Sequence, residues 1–274
     1  RSYYVYLLSK YLSKKNNVFV VTNGGDSLER LEEKKIEYRI IKSLKSKNPL
    51  TIARNIKKIR SFIIDNNIRI VHTHHRLTEI LALQAIKKIK KNKPSSVFTS
   101  LSIVKRKYNI EYRSDWIIAV SNSVKKMLLN KFSLNKDKIT LINNFTDTDE
   151  IHDLEIISPR FRQHGKYFLI LAIGRFHKDK DFETLLKALN LLKRENIGLI
   201  LVGEGNNDID YRRYIAKKDL NVEIIVPQKN LLRYFLVADI CVLPSTRDPF
   251  PNFMLQSGLH RVPFIGADVD GIGE

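Results

Sequence analysis

Short apolar runs rich in β-branched residues alternate with longer amphipathic runs along nearly the whole chain, and this alternation restricts the fold more than any other feature. The runs "NVFVVTN", "EYRII", "RIVHTHH", "SSVFTS", "WIIAVS" and "KITLINN" have the length and residue types of strands. Among them stand "TIARNIKKIRSFIIDNN", "LTEILALQAIKKIKK" and "NSVKKMLLNKF", whose apolar positions recur at helical spacing, the last with Ser121 or Asn122 as its cap. Strands joined by helical crossovers pair in parallel, because the crossover returns the chain to the same end of the sheet. The chain opens directly in a helical pattern, "RSYYVYLLSKYLSKK", with apolar positions at Tyr4, Leu7, Leu8 and Tyr11. A fragment is expected, with a first strand ahead of this helix and a closing helix beyond the final "GADVDGIGE".

The alternation stops in the charged stretch "DTDEIHDLEIISPRFRQHG", which carries a Pro and a Gly, and restarts at "KYFLILAIG". The second half runs through strands "FLILAIG", "GLILVG", "VEIIV", "DICVLPS" and "VPFIGA", with helices expected at "DFETLLKALNLLKREN", "IDYRRYIAKKD", "LLRYFLVA" and "NFMLQSGLH". The fold class is therefore α/β, with two Rossmann-like, doubly wound parallel-sheet domains at residues 1–155 and 156–274. Their strand C-termini are expected to face a cleft, since open α/β sheets bind ligands in crevices at those ends.

Composition narrows the partners. At 274 residues and 43% hydrophobic content, each half can bury a core and disorder is excluded. Lys and Arg number 48 against 29 Asp and Glu, a formal charge of +19, which attracts phosphate-bearing partners: nucleic acid, an anionic membrane face or a nucleotide substrate. The single cysteine, Cys241, lies in the apolar run "ADICVLP" and reads as a buried, inert thiol in a reducing cytosol. The longest apolar run, "FLILAI", is far short of the ~20 residues that cross a bilayer, and a cytoplasmic location is expected.

Three turns of the second half stand at strand C-termini. "IGRFHKDKDFE" puts Gly174 and Arg175 at a strand end and Lys180, expected exposed, at a helix mouth, where two cations and helix amides can converge on one anion. "LVGEGNND" sets Gly203 and Gly205 about Glu204, which lets a backbone approach a ligand closely, although such a pair is more often only a turn. "LPSTRDPFPNFMLQSG" places Asp248 in a strand break before Pro251, with Asn252 opening a helix and Gln256 four residues further on the same face. In the first half, "VHTHHRLTE" offers His72, His74 and His75 at a strand end; with no Cys and no fourth ligand nearby, a metal is not expected. The basic runs "KKIKKNK" (87–93) and "KRKYNIEYRSDW" (105–116) read as solvated faces or as anion-binding surfaces, the latter interleaving Tyr108, Tyr112 and Trp116 with cations.

In their order and spacing, "IIAVSNSVKKMLLNKF", "ITLINNFTD", "LAIGRFHKDKDFETLLKAL", "LILVGEG" and "ADICVLPSTRDPFPNFMLQSG" resemble a retaining GT-B glycosyltransferase of family four. The resemblance covers most of the chain and is densest over 168–274. It implies that Arg175 and Lys180 bind the donor diphosphate, that Asp248 stands near the sugar hydroxyls, and that Gln256 meets the ribose diol. Gly174, Gly203, Gly205, Pro251 and Asn252 complete the implied donor set, with Asp248, Arg175 and Lys180 as the catalytic group. The turn carrying His72, His74 and His75 resembles the family's His-x-His turn that fronts the cleft, and His74 and His75 are the acceptor-binding residues it implies. Asp stands at 248 for the usual Glu, and Gln at 256 for a second Glu. A histidine frequent in the family has no counterpart in "VFTSLSIVK", where Ser100 and Leu101 stand instead.

The implied activity is metal-independent transfer of a sugar, with retention and no cofactor, from a nucleotide-sugar to a glycan or lipid-linked acceptor. The implied setting is bacterial cell-surface polysaccharide or lipopolysaccharide biosynthesis, with peripheral contact to the anionic inner membrane face and no nucleic acid as partner. The alternative is a non-catalytic member that binds a nucleotide-sugar or a partner protein.

Overall fold

The computed structural model describes residues 2–25, 27–104, 110–149, 168–192, 196–227 and 231–274. The chain divides into two compact units, Arg1–Asn144 and Phe145–Glu274; the boundary expected at 155 falls outside the described residues.

The first unit contains α1 (Ser2–Leu12), β1 (Phe19–Thr22), α2 (Leu28–Glu33), β2 (Glu37–Ile40), α3 (Pro49–Asp65), β3 (Ile70–Thr73), α4 (Arg76–Lys87), β4 (Ser95–Ser100), β5 (Trp116–Ala119), α5 (Asn122–Phe132) and β6 (Ile139–Leu141). Every strand pairing among the described residues of this unit is parallel, as the alternation requires. The sequence predicts one sheet here, and the structure has two: β1-β2 and β3-β4-β5-β6. Among the described residues no strand joins β1 to β3, but the helices do. Val21 of β1 and Val71 of β3 pack against one cluster formed by Ile56, Ile59 and Ile63 of α3 with Leu81 and Ala85 of α4. α3 starts where Asn48 accepts a hydrogen bond from Thr51 N–H and Pro49 supplies a preset φ. Its Ile side chains at 56, 59 and 63 then fall on one face, and that face supplies the packing. Ser121, the first of the two expected caps, accepts from Val124 N–H and starts α5. α1 buries Tyr4, Tyr6 and Leu7, with Leu8 and Tyr11 only partly covered. Periodicity could not select this face, because the helix is apolar on nearly all sides.

The second unit contains β7 (Phe168–Ile173), α6 (Phe182–Leu192), β8 (Ile197–Val202), α7 (Asp208–Lys218), β9 (Val222–Ile225), β10 (Ile240–Leu243), α8 (Asn252–Leu259) and β11 (Phe264–Gly266). Its sheet is parallel in the order β11-β10-β7-β8-β9. The strands β7, β8 and β10 supply fully buried residues such as Leu169, Leu199, Leu201 and Leu243 to a core closed by Phe182, Leu186, Phe235 and Phe253. The helix expected at "LLRYFLVA" is a single 3-10 turn, Leu232–Tyr234. Leu232, Tyr234, Phe235 and Val237 are all buried there, so the segment has no polar face to present as an amphipathic helix. Cys241 is fully buried, and burial pushes its thiol up to about 11, in keeping with an inert role. No described helix is long and apolar enough to cross a membrane.

The strand order fixes where a ligand can enter. The chain builds β7, β8 and β9 outward on one side, then returns to place β10 and β11 on the other side of β7. The segments that follow β7 and β10 therefore leave neighbouring strands in opposite directions, and the crevice between them is the switch point of the sheet.

Candidate active site

At this switch point the segment after β7 is laid onto the segment after β8. Gly174 N–H donates to the Val202 carbonyl (3.0 Å), Phe176 N–H to the Glu204 carbonyl (2.8 Å), and Asn207 N–H to the Phe176 carbonyl (3.2 Å). Two glycines permit this approach. A Cβ at Gly203 would lie 2.0 Å from the Gly174 oxygen, and one at Gly205, whose φ is +149°, would lie 2.6 Å from the Phe176 oxygen. What Gly203 and Gly205 approach in this structure is thus the 174–176 backbone, which they hold in place.

Lys180 runs past Gly174, its Cδ and Cε at an ordinary contact distance of 3.5 Å from where a Gly174 Cβ would stand, while Phe182 Cζ lies closer, at 3.1 Å. The Lys180 ammonium ends in an ion pair with the Asp248 carboxylate, and the two side chains are only 20% and 7% exposed. The expectation that Lys180 is exposed is corrected here: a buried carboxylate needs a charged partner, and the lysine stem is long enough to reach it. Arg175 is exposed and forms no ion pair among the described residues.

Asp248 is held at its backbone too. Its N–H donates to Asp270 Oδ2 (3.1 Å), and its carbonyl accepts from Gly271 N–H (3.0 Å). Burial raises the Asp270 carboxyl above its ordinary range, against the opposing pull of Arg247. The neighbouring Thr246 N–H donates to the Asp179 carbonyl (3.0 Å), tying the segment after β10 to the one after β7.

α8 begins immediately beyond. Pro251 is extended, with φ −76° and ψ 127°, and no side chain caps the helix start, so the first-turn amides and the positive end of the helix dipole remain open. The side-chain oxygens Ser245 Oγ and Asn252 Oδ1 are buried without a hydrogen-bond partner among the described residues. A buried polar atom left unpaired costs free energy, and at a strand-end crevice a ligand can supply the missing partner. Gln256 is half-buried and its side-chain amide makes no hydrogen bond among the described residues, although its carbonyl accepts from His260 N–H (3.0 Å). Together these groups offer two cations and open amides for an anion, with a carboxylate and neutral oxygens for hydroxyl groups.

In the first unit, His74 and His75 line a pocket of about 240 Å³ together with Arg76, Ser100, Leu101 and Tyr112. His75 caps α4, its Nδ1 accepting from Leu77 N–H (3.3 Å). The His74 ring lies edge-on to Tyr4, with centroids 5.5 Å apart, and 4.4 Å from the His72 ring. Burial lowers His72 to about 4, so it is neutral at pH 7, with Nε2 2.7 Å from the Thr99 hydroxyl. Arg76 is paired with the buried Glu111 at 2.6 Å. The residues 105–109 of the second basic run lie outside the described residues.

Residues 2–150 match the family "Glycosyltransferase Family 4", and residues 167–274 match "Glycosyl transferases group 1". The chain belongs to glycosyltransferase family 4. An uncharacterized glycosyltransferase of Methanocaldococcus jannaschii is 28% identical to this family 4 chain over 64% of the chain and 48% of that protein. The capsular polysaccharide biosynthesis glycosyltransferase CapM of Staphylococcus aureus is 26% identical over 57% of the chain and 44% of CapM. The chain thus spans about half the length of these two curated relatives. Among solved structures, a glycosyltransferase from Rickettsia africae superposes with a TM-score of 0.79 at 21% identity, covering 98% of the chain and 76% of that protein. Anabaena HepE in complex with UDP-glucose gives 0.79 at 16% identity, covering 98% and 77%. These likenesses establish the α/β fold with parallel sheets as that of GT-B glycosyltransferases.

Sequence reading missed three groups of this family 4 chain. Ser245 follows Pro244 at a strand end, and the orphaned state of its oxygen is a three-dimensional property. Asp270 precedes Gly271 in a dipeptide that signals a turn, but nothing in the sequence says which backbone it caps. Glu79 reads as a charged residue on an amphipathic helix. In the structure it is fully buried and accepts from Tyr112 N–H (2.8 Å), Arg113 N–H (2.9 Å) and Ser114 N–H (3.1 Å), fixing the loop that brings Tyr112 to the first-unit pocket.

Proposed function

We propose that the protein is a metal-independent glycosyltransferase that moves a sugar, with retention, from a nucleotide-sugar to a glycan or lipid-linked acceptor in polysaccharide biosynthesis. The observation that carries this reading is the convergence, at the sheet switch point, of the Lys180–Asp248 pair with the uncapped start of α8 and two orphaned buried oxygens. A nucleoside diphosphate fits that set. Arg175, Lys180 and the α8 amides take the diphosphate charge, Gln256 meets the ribose diol, and Asp248 accepts hydrogen bonds from the sugar. Relatives support the setting: CapM is a capsular polysaccharide enzyme, and the Erwinia amylovora protein AmsD serves amylovoran biosynthesis. The acceptor belongs to the pocket fronted by His74 and His75, and an anionic membrane is the proposed peripheral surface.

In the reaction, the bond between the sugar C1 and the phosphate oxygen breaks with its electron pair going to that oxygen. The acceptor oxygen bonds to C1 on the same face, and its proton passes to the departing phosphate. Lys180 and Arg175 stabilise the charge that accumulates there, so no side-chain nucleophile is required. The reading is tested by incubating the protein with a panel of nucleotide-sugars and measuring nucleoside diphosphate release by mass spectrometry. Release from at least one donor, reduced in Asp248→Asn with diphosphate binding retained, is the expected result. Binding without release in any condition would favour the non-catalytic alternative.

A further inference from the structure

Tyr112 stands in the wall of the first-unit pocket in a strained conformation. Its φ is +57°, a left-handed backbone that a bulky side chain seldom adopts, and such strain persists only where the surroundings impose it. Glu79 imposes it. Fully buried on α4, its carboxylate accepts from the N–H groups of Tyr112 (2.8 Å), Arg113 (2.9 Å) and Ser114 (3.1 Å) and from the Ser114 hydroxyl (2.9 Å). Three successive amides turned toward one point form a concavity that binds an anion, and a buried carboxylate needs several donors to stay charged. The same helix holds the loop again one turn earlier, where Arg76 pairs with the buried Glu111 at 2.6 Å. α4 itself starts at His75, whose ring caps it. Both walls of the pocket, the histidine turn and Tyr112, are thus set by one helix, which fixes their separation.

The ring and the hydroxyl of Tyr112 have different surroundings. Its ring meets Phe98 and Phe132 edge-on, with centroids 5.2 Å and 4.5 Å away. A phenylalanine would make the same contacts, so the core does not require the hydroxyl. That hydroxyl is hydrogen-bonded to the Ser100 side chain, and both residues line the pocket. Burial pushes the phenol up to about 12, so it is a neutral hydroxyl at physiological pH. A hydroxyl donates one bond and accepts others, so the Tyr112–Ser100 pair keeps capacity for a third hydroxyl. At about 240 Å³ the pocket is smaller than the roughly 300 to 1,000 Å³ of sites for drug-sized molecules, and it suits a single sugar ring.

We propose that Tyr112 is a specificity-determining contact of the acceptor, its hydroxyl binding one hydroxyl of an acceptor sugar ring, and that Glu79 is the positioning residue that holds it in place. The inference rests on the reading of this pocket as the acceptor site and deepens it by naming the group that is read. A site built to bond a hydroxyl rejects the analogue that lacks it, because the buried partner is then left unpaired.

The test is saturation-transfer NMR on the full chain, alone and with UDP present, with the methyl glycosides of glucose, galactose, mannose and N-acetylglucosamine and with the monodeoxy analogues of any that bind. At least one glycoside should bind the wild type, and one of its monodeoxy analogues should bind about tenfold more weakly. Tyr112→Phe should bind the parent glycoside about tenfold more weakly and lose the discrimination against that one analogue. Glu79→Gln should lose the same discrimination, and the double variant should lose no more than either alone, which a purely structural role for Glu79 would not produce. Should Glu79→Gln fail to fold by circular dichroism, Tyr112→Phe decides the matter, since it keeps every ring contact. Parent and deoxy affinities in Tyr112→Phe equal to those of the wild type would overturn the inference and leave the acceptor pocket standing. No binding of any glycoside to the wild type, with or without UDP, would overturn the acceptor reading of the pocket and this inference with it. Titration of UDP alone reports on the second unit and should be the same in all these variants.

Discussion

Asp248 is constrained at three points, by Lys180 at its carboxylate, by Asp270 at its N–H and by Gly271 at its carbonyl. Lys180 and Arg175, the two cations of the candidate site, should therefore respond differently to truncation. Arg175 is exposed, so Arg175→Ala should weaken nucleoside diphosphate binding by about 1.5 to 3 kcal/mol, the worth of a charged hydrogen bond, and leave the melting temperature unchanged. Lys180→Ala should weaken binding similarly and also destabilise the fold by about 1 to 3 kcal/mol, because it strands a carboxylate that is 7% exposed. Calorimetric titration and thermal denaturation of both variants separate the two effects; equal melting temperatures would contradict the structural role of the pair. Gln256 is neutral, and its amide can satisfy a diol only without charge assistance. Gln256→Glu should tighten nucleoside diphosphate binding about tenfold, the gap of about 1 to 2 kcal/mol between neutral and charge-assisted bonds, and unchanged titration curves would remove the ribose from α8.

Among the elements, the stacking of the 174–176 segment on the segment after β8 gives Gly203 its importance. Gly203→Ala should cost at least about 1 to 3 kcal/mol, since its Cβ would lie 2.0 Å from the Gly174 oxygen, and should reduce diphosphate affinity by displacing the path of Lys180. Wild-type melting and affinity in this variant would show that the loop relaxes freely. On the other unit, β3 carries a pH response. His72 titrates near its ordinary 6.5 when unfolded and at about 4 in the fold. Its contribution is fully present above 6.5 and is lost as pH falls toward 4, by about 3 kcal/mol in all. Urea denaturation of the wild type and of His72→Gln should diverge over that window, and parallel acid limbs would contradict it.

The same elements mark what was legible in sequence. The alternation sufficed for parallel strands, and spacing alone put Arg175, Lys180, Asp248 and Asn252 at strand ends and helix starts. It could not pair Lys180 with Asp248, 68 positions apart, because that contact depends on β10 lying beside β7. Nor could it foresee that Gly203 and Gly205 approach backbone, that Glu79 is buried under three amides, or that "LLRYFLVA" forms a single turn. Each of these is decided by what packs opposite, and an amphipathic pattern names a face without naming its partner.

At the scale of the whole molecule, charge and chemistry are distributed differently. In the second unit the cations at the switch point are matched by carboxylates, Asp179, Asp248 and Asp270 accompanying Arg175 and Lys180. On α3 the cations Arg54, Lys57 and Lys58 stand in excess over a single Asp65. A compensated site discriminates between ligands by hydrogen-bond geometry, whereas an uncompensated one attracts anions broadly and is salt-sensitive. The central claim is that the second unit holds a nucleotide-sugar at the β7–β10 switch point. Calorimetric titration of the protein with a panel of nucleoside diphosphates tests it most directly. The account predicts saturable binding of at least one of them, weakened in Arg175→Ala and unchanged in an Arg54→Ser, Lys57→Ser, Lys58→Ser variant. Absence of binding across the panel, or binding that disappears with the α3 cations and survives the loss of Arg175, would contradict it.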